Sequence, residues 1–293
     1  MPLWLVSLGT VAWGAVWGSF ANVVLHRWPR GLSLARPGSH CPACGHPIRW
    51  YDNLPLLSWL LLGARCRDCG AGIAVRYPLV EATSALLAAA VWHKLASHAL
   101  LVEGRFHPAL LGPFLVEFQV LWGLMVVALV DLETLLVPDV IVVPLTVLAL
   151  LGQWLFPDGE PLRNLAAAAA GYLAVSLLFV HGWRRLTGRE GMGLGDGKIL
   201  ALLGAQYGPW ALPLVLVLAA LQGLVYVAVV MGLLGRSPTP PGADEPPARS
   251  VREVKVPFGP FLALATIEAA FLAPLAAASV GDWPVLRTLL AGW

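Results

Sequence analysis

The sequence predicts an all-α polytopic membrane protein of about eight transmembrane helices, with a small cytoplasmic zinc-binding domain inserted after the first helix. Three observations lead there. Of 293 residues, 58% are hydrophobic and only 12% charged, where a soluble domain carries roughly a quarter charged residues; the mean hydropathy is +0.74. Apolar runs near the ~20 residues that cross a bilayer recur along the chain, separated by short polar turns. All four cysteines fall within Cys41–Cys69, in the one long polar stretch between the first two apolar runs. The net charge of +2 gives no case for nucleic acid, because the charges lie in loops between spans.

In chain order, Leu3–Leu25 is the first span, read as a retained helix because it lacks a basic start and a small-residue cleavage site. Its Gly9, Gly14, Gly18 and Ser19 allow a second helix to approach closely. Residues 26–77 form the polar domain, with seven arginines and both cysteine pairs. Residues 78–293 form the membrane core. Its spans are Pro78–Leu100, Gly112–Val130, Val137–Phe156, Leu165–Trp183, the short Ile199–Gln206, Trp210–Leu234 and Phe258–Val280. The proline-rich loop 235–257 between the last two reads as disordered, and 281–293 as a tail.

Charge orients this layout. With residues 26–77 inside, fifteen of the 19 lysines and arginines lie on the inner side, and only Lys94, Arg105, Arg163 and Arg287 fall outside. That is a strong positive-inside bias. Treating Ile199–Gln206 as re-entrant worsens it to twelve against seven, because loop 235–257 moves outside and Arg287 inside, so eight spans are favoured. Asp131 and Asp196 then share the cytoplasmic side.

Cys41-Pro-Ala-Cys44-Gly and Cys66-Arg-Asp-Cys69-Gly are matched knuckles separated by 21 residues. Four thiolates suit tetrahedral zinc in a closed structural site. Two disulfides compete with this reading, but a cytoplasmic location argues against them; two redox pairs remain the other alternative. About fifty residues with few aliphatics fold poorly alone, so the metal supplies the missing stability. His40 and His46 are bystanders.

The stretch Gly191-Met-Gly193-Leu-Gly195-Asp196-Gly197-Lys198 sets one carboxylate among four glycines. Glycine this dense opposes ordinary helix and offers a backbone that an extended peptide can approach. A matching acid, Asp131, opens Asp131-Leu-Glu-Thr-Leu-Leu-Val-Pro138-Asp139. Two carboxylates at one depth, partly desolvated, share a proton. The ionised member then takes a proton from water while the protonated member donates to a carbonyl oxygen, which is amide hydrolysis without metal or covalent intermediate. Asp139, after proline at a helix start, takes the helix-dipole role, and Glu133 points to water. Lys198 either binds an anionic group, stabilises Asp196 or snorkels to the interface. Glu117 and Glu268 lie inside spans, facing a groove or pairing with another helix.

These two motifs together resemble the type IV prepilin leader peptidases, membrane aspartyl proteases of the GxGD type. So do Gly18-Ser-Phe-Ala-Asn22-Val-Val24, Trp50-Tyr-Asp-Asn-Leu-Pro55 and Arg76-Tyr-Pro-Leu-Val-Glu81. The resemblance implies catalytic Asp131 and Asp196, with Gly193, Gly195 and Lys198 as active-site support. Members with the cysteine domain remove a short leader from prepilins or pseudopilins and then methylate the new N-terminus with S-adenosylmethionine. No strand–GxGxxG–helix context exists here, so methyl transfer is implied by the resemblance alone, with Arg76 and Glu81 as contributors or as a mere interfacial ion pair. The implied setting is the bacterial cytoplasmic membrane, with lipid bilayer and prepilin as partners. Two other readings compete: a preflagellin or signal-peptide peptidase without methyltransferase activity, and a proton-coupled transporter using Asp131 and Asp196.

Overall fold

The computed structural model describes residues 3–102, 107–188, 192–233 and 256–279. Arg105, Arg189, Gly191, residues 234–255 of the last two expected segments and the 281–293 tail lie outside the described residues. The described chain is all-helical; its extended contacts are the isolated bridges His40–Pro47 and Arg65–Gly72. The helices are α1 (Leu3–Arg27), α2 (Leu57–Leu61), α3 (Arg76–Val102), α4 (Leu111–Thr134), α5 (Asp139–Leu155), α6 (Pro161–Ala174), α7 (Trp183–Thr187), α8 (Leu194–Tyr207), α9 (Ala211–Val227) and α10 (Gly259–Ser279). A π-helical run, Val175–Gly182, joins α6 to α7. Among the described residues, four helical stretches are long and apolar enough to cross a membrane: Trp4–Arg30, Pro108–Thr134, Pro161–Thr187 and Ala211–Val230. Asp139–Leu155 and Gly259–Pro274 are shorter apolar helices.

The chain divides into two compact units, Met1–Phe114 and Leu115–Trp293. In the first, α1 lies against α3 because small residues meet. A Cβ on Gly14 would sit 2.6 Å from the Cβ of Ala88, and one on Gly18 2.5 Å from the Cα of Glu81. Ser84 Oγ donates to the Gly14 carbonyl at 2.6 Å, an interhelical bond worth about 0.6–2 kcal/mol in a membrane. Three of the four expected small residues thus reach α3, Ser19 through a hydrogen bond to the Glu81 carboxylate; Gly9 has open space around it.

In the second unit α8 is the central element. It starts at Leu194, so Gly195 and Gly197 are helical, against the expectation that so many glycines exclude helix. Packing explains it. A Cβ on Gly195 would meet Val137 Cγ2 at 2.6 Å, and one on Gly204 the backbone of Ala167 at 2.6 Å. The approach to α6 is also hydrogen-bonded, with buried Asn164 Nδ2 donating to the Ala205 carbonyl at 3.1 Å. Glycine costs up to about 1 kcal/mol in a helix, and the contacts it permits offset that. Ile199, Leu200, Leu202 and Leu203 are completely or almost completely buried. This helix is packed on several sides.

Candidate functional site: a carboxylate pair and a four-thiolate module

Asp131 lies in the last turn of α4. Its carbonyl accepts from Leu135 N at 2.9 Å, and Leu135 turns the chain at φ 55. Pro138 then caps α5. The side chain of Asp131 is buried, and its Oδ2 accepts from Gly259 N at 3.0 Å. Gly259 opens α10, where the first amides have no partner within the helix and attract an anion. A Cβ at Gly259 would stand 2.7 Å from that same oxygen and 3.4 Å from Ile199 Cδ1 of α8, so the head of α10 fits between the two acid-bearing helices. In the sequence Gly259 is marked only as a glycine immediately before Pro260 at the head of an apolar run.

Asp196 sits in the first turn of α8, also buried. Its Oδ2 accepts from Gly193 N at 3.2 Å while its own N–H donates to the Gly193 carbonyl at 3.1 Å, a reciprocal cap of the kind that starts helices. The Asp131 carboxylate is close enough to act electrostatically on Asp196. Lys198 Nζ donates to Asp139 Oδ1 at 2.6 Å, which ties the glycine motif to the turn motif a second time. Glu268 is paired as well, accepting from Gln222 Nε2 at 2.7 Å. Glu117 is buried within α4.

The cysteine module is a near-duplicate of one pattern. Cys41 N donates to the His46 carbonyl and Cys66 N to the Ala71 carbonyl; Gly45 N donates back to Cys41 and Gly70 N to Cys66. Gly45 and Gly70 have φ 71 and 72, which is why glycine follows each pair. All four cysteines are free thiols. Their sulfurs lie within 4.8 Å of one another, with Cys41 Sγ and Cys69 Sγ 3.9 Å apart. A disulfide needs about 2.05 Å; a tetrahedron with metal–sulfur bonds of about 2.3 Å has edges of about 3.8 Å. The residues therefore fit a four-thiolate metal ion. The backbone amides of Cys44 and Ala43 bring the Cys41 thiol down to about 7. At Cys69 the Ala71 amide pulls the same way but is outweighed by the Cys44 thiol, burial and the other two thiols, which push it up to about 12. Four thiolates this close require a cation between them. Arg67 holds Asp52 with hydrogen bonds of 2.6–3.0 Å and keeps that carboxyl below its usual range.

Glu81 and Arg76 are placed differently. Arg76 is exposed at the first residue of α3. Glu81 is buried; its Oε2 accepts from Leu56 N at 2.7 Å, and Ser19 also hydrogen-bonds the carboxylate. It faces a cavity of about 460 Å3 enclosed by α1, the cysteine module and the start of α3.

Fold and site define a membrane-helical protein carrying a buried carboxylate pair and a four-thiolate module. The family model described as bacterial Peptidase A24 N-terminal domain matches residues 12–95, and that of the type IV leader peptidase family matches residues 118–228. The prepilin leader peptidase/N-methyltransferase of Pseudomonas aeruginosa is 36% identical over 284 residues, covering 88% of this chain and 87% of the relative. Those of Myxococcus xanthus and Dichelobacter nodosus, of the same name, are 37% and 33% identical, covering 87% and 85% of this chain and 74% and 85% of the relatives. The chain belongs to the type IV leader peptidase family. No solved structure matches it.

Proposed function

We propose that this chain removes the leader peptide from type IV prepilins or pseudopilins at the cytoplasmic face of the bacterial inner membrane and then N-methylates the new N-terminus. The observation that carries the peptidase half is the burial of both Asp131 and Asp196, with the charge of the first acting on the second, inside the stretch 118–228 that the type IV leader peptidase family model matches. The ionised carboxylate takes a proton from water as the water attacks the scissile carbonyl, and the protonated one donates to the carbonyl oxygen. Gly259 and Gly193 amides each hold one oxygen of an acid, which leaves the other oxygen of each for water, proton and substrate. Gly195, against Val137, and the Lys198–Asp139 pair fix the two motifs against each other, while Gly193 holds Asp196 within its own motif.

Zinc is the ion of choice for four cysteine thiolates in a closed site, held by Cys41, Cys44, Cys66 and Cys69. It stabilises the module and takes no part in proteolysis. S-adenosylmethionine, when bound, supplies the methyl group: the amine lone pair forms the nitrogen–carbon bond as the carbon–sulfur bond breaks toward sulfur, and the amine loses a proton. Glu81 is the acidic contributor and Arg76 an entrance residue to that chemistry. Eight spans with the module inside follow from the fifteen-to-four charge bias. Incubating purified protein with a prepilin and S-adenosylmethionine tests this: mass spectrometry should show leader loss and one added methyl group. An intact prepilin would refute it.

A further inference from the structure

We infer that the cavity beneath the cysteine module is the binding site for the methyl donor, with Glu81 facing its sulfonium and Arg27 its carboxylate. This rests on the methyltransferase half of the proposed function. The cavity lies wholly within the Met1–Phe114 unit. Its volume, about 460 Å3, falls within the ~300–1,000 Å3 of sites that enclose small ligands.

Its charges identify the ligand class. Glu81 is 9% exposed, and its partners are the Leu56 amide and the Ser19 hydroxyl, neither of them a cation. Arg27 is 8% exposed and donates to the carbonyls of Ser33, Leu34 and Gly38, all neutral acceptors. A buried charge without a counter-charge is costly, and here one of each sign lines the same cavity. By contrast Asp52 and Arg67, also on the wall, neutralise each other. An unmatched acid and an unmatched base call for a ligand that carries both signs. S-adenosylmethionine does: its sulfonium lies two methylene groups from an α-carbon that carries both an ammonium and a carboxylate, so one acid and one base can each meet an opposite charge. Its adenine needs an apolar wall, which Trp59 supplies; that ring is fixed by Nε1 donating to the Ile73 carbonyl at 3.1 Å.

Glu81→Gln retains an oxygen to accept from Leu56 N while removing the charge. Equilibrium dialysis of the full chain in detergent should show S-adenosylmethionine binding weakened about tenfold, the size of one partly screened charge interaction. Binding of S-adenosylhomocysteine, whose sulfur is neutral, should fall far less. Arg27→Gln should weaken both ligands together. Ultraviolet cross-linking of labelled S-adenosylmethionine to the unmutated protein should then mark peptides within 19–81. An unchanged affinity ratio in Glu81→Gln, or label confined to Leu115–Trp293, would overturn the assignment. If the unmutated protein methylates pilin while the label maps elsewhere, only the cavity falls. If it neither binds the donor nor methylates, the methyltransferase reading falls with it.

Discussion

Gly259 N donates to Asp131 Oδ2 at 3.0 Å across 128 positions of sequence. The bond joins the head of the last described helix to the acid at the end of α4. No side chain other than hydrogen fits there, because a Cβ would stand 2.7 Å from the same oxygen. Gly259→Ala should therefore displace the Asp131 carboxylate and lower kcat for leader removal by about 10²-fold, the order expected for a displacement near 1 Å. KM should move little, since substrate binding is not what the residue serves. Equal loss in kcat/KM entirely through KM would contradict this role.

The metal reading makes a separate demand. Elemental analysis of purified protein should find about one zinc per chain, as a single tetrahedral four-thiolate site requires. Cys41→Ser should release it and raise protease sensitivity within residues 26–77, with methylation lost before proteolysis. Two disulfides and no metal would contradict the site.

Packing of α1 on α3 depends on Gly18, whose Cβ would meet the Glu81 Cα at 2.5 Å. Gly18→Val should destabilise the first unit by about 1–3 kcal/mol, the usual cost of overpacking, and disturb Glu81 first. A lowered melting temperature, with methyl transfer more affected than leader removal, is the expected signature. An unaltered melting temperature would mean that the helices can part at no cost.

Chemistry fixes the order of the two activities. The acceptor amine does not exist until the peptide bond is cut, so Asp196→Asn protein should give no methylated product from a full prepilin. The same variant, zinc-loaded, should methylate a pre-cleaved pilin. The acids lie in the Leu115–Trp293 unit and the cavity in the other. Failure to methylate pre-cleaved pilin would mean that the two activities share a site.

Much of this was legible in the residues. Apolar period and length located the helices, because a chain with so few charges has little else to place in a bilayer. The matched knuckles disclosed their thiolate site through spacing alone. Two things escaped. Gly195 and Gly197 read as non-helical, since propensity carries no knowledge of Val137 or Val175 against which a bare backbone packs. Gly259 escaped because its function is a main-chain amide donated to a residue 128 positions away, and no side-chain pattern encodes that. Lys198 was ambiguous for a similar reason: an anionic substrate group, Asp196 and the membrane interface were all compatible with its position, and Asp139, which it meets, was not among them.

The central claim is that Asp131 and Asp196 cut the leader as a pair, with Asp139 serving only the ion pair to Lys198. Leader removal from a prepilin should be followed by mass spectrometry for Asp131→Asn, Asp196→Asn, the double variant and Asp139→Asn, each checked for membrane insertion and zinc content. Each single catalytic variant should lose at least about 10³-fold in rate, and the double variant scarcely more, as expected for residues that act as a unit. Asp139→Asn should retain most of its activity, an exposed ion pair being worth about 1 kcal/mol or less. Near-full cleavage by zinc-loaded Asp131→Asn or Asp196→Asn protein would contradict the account.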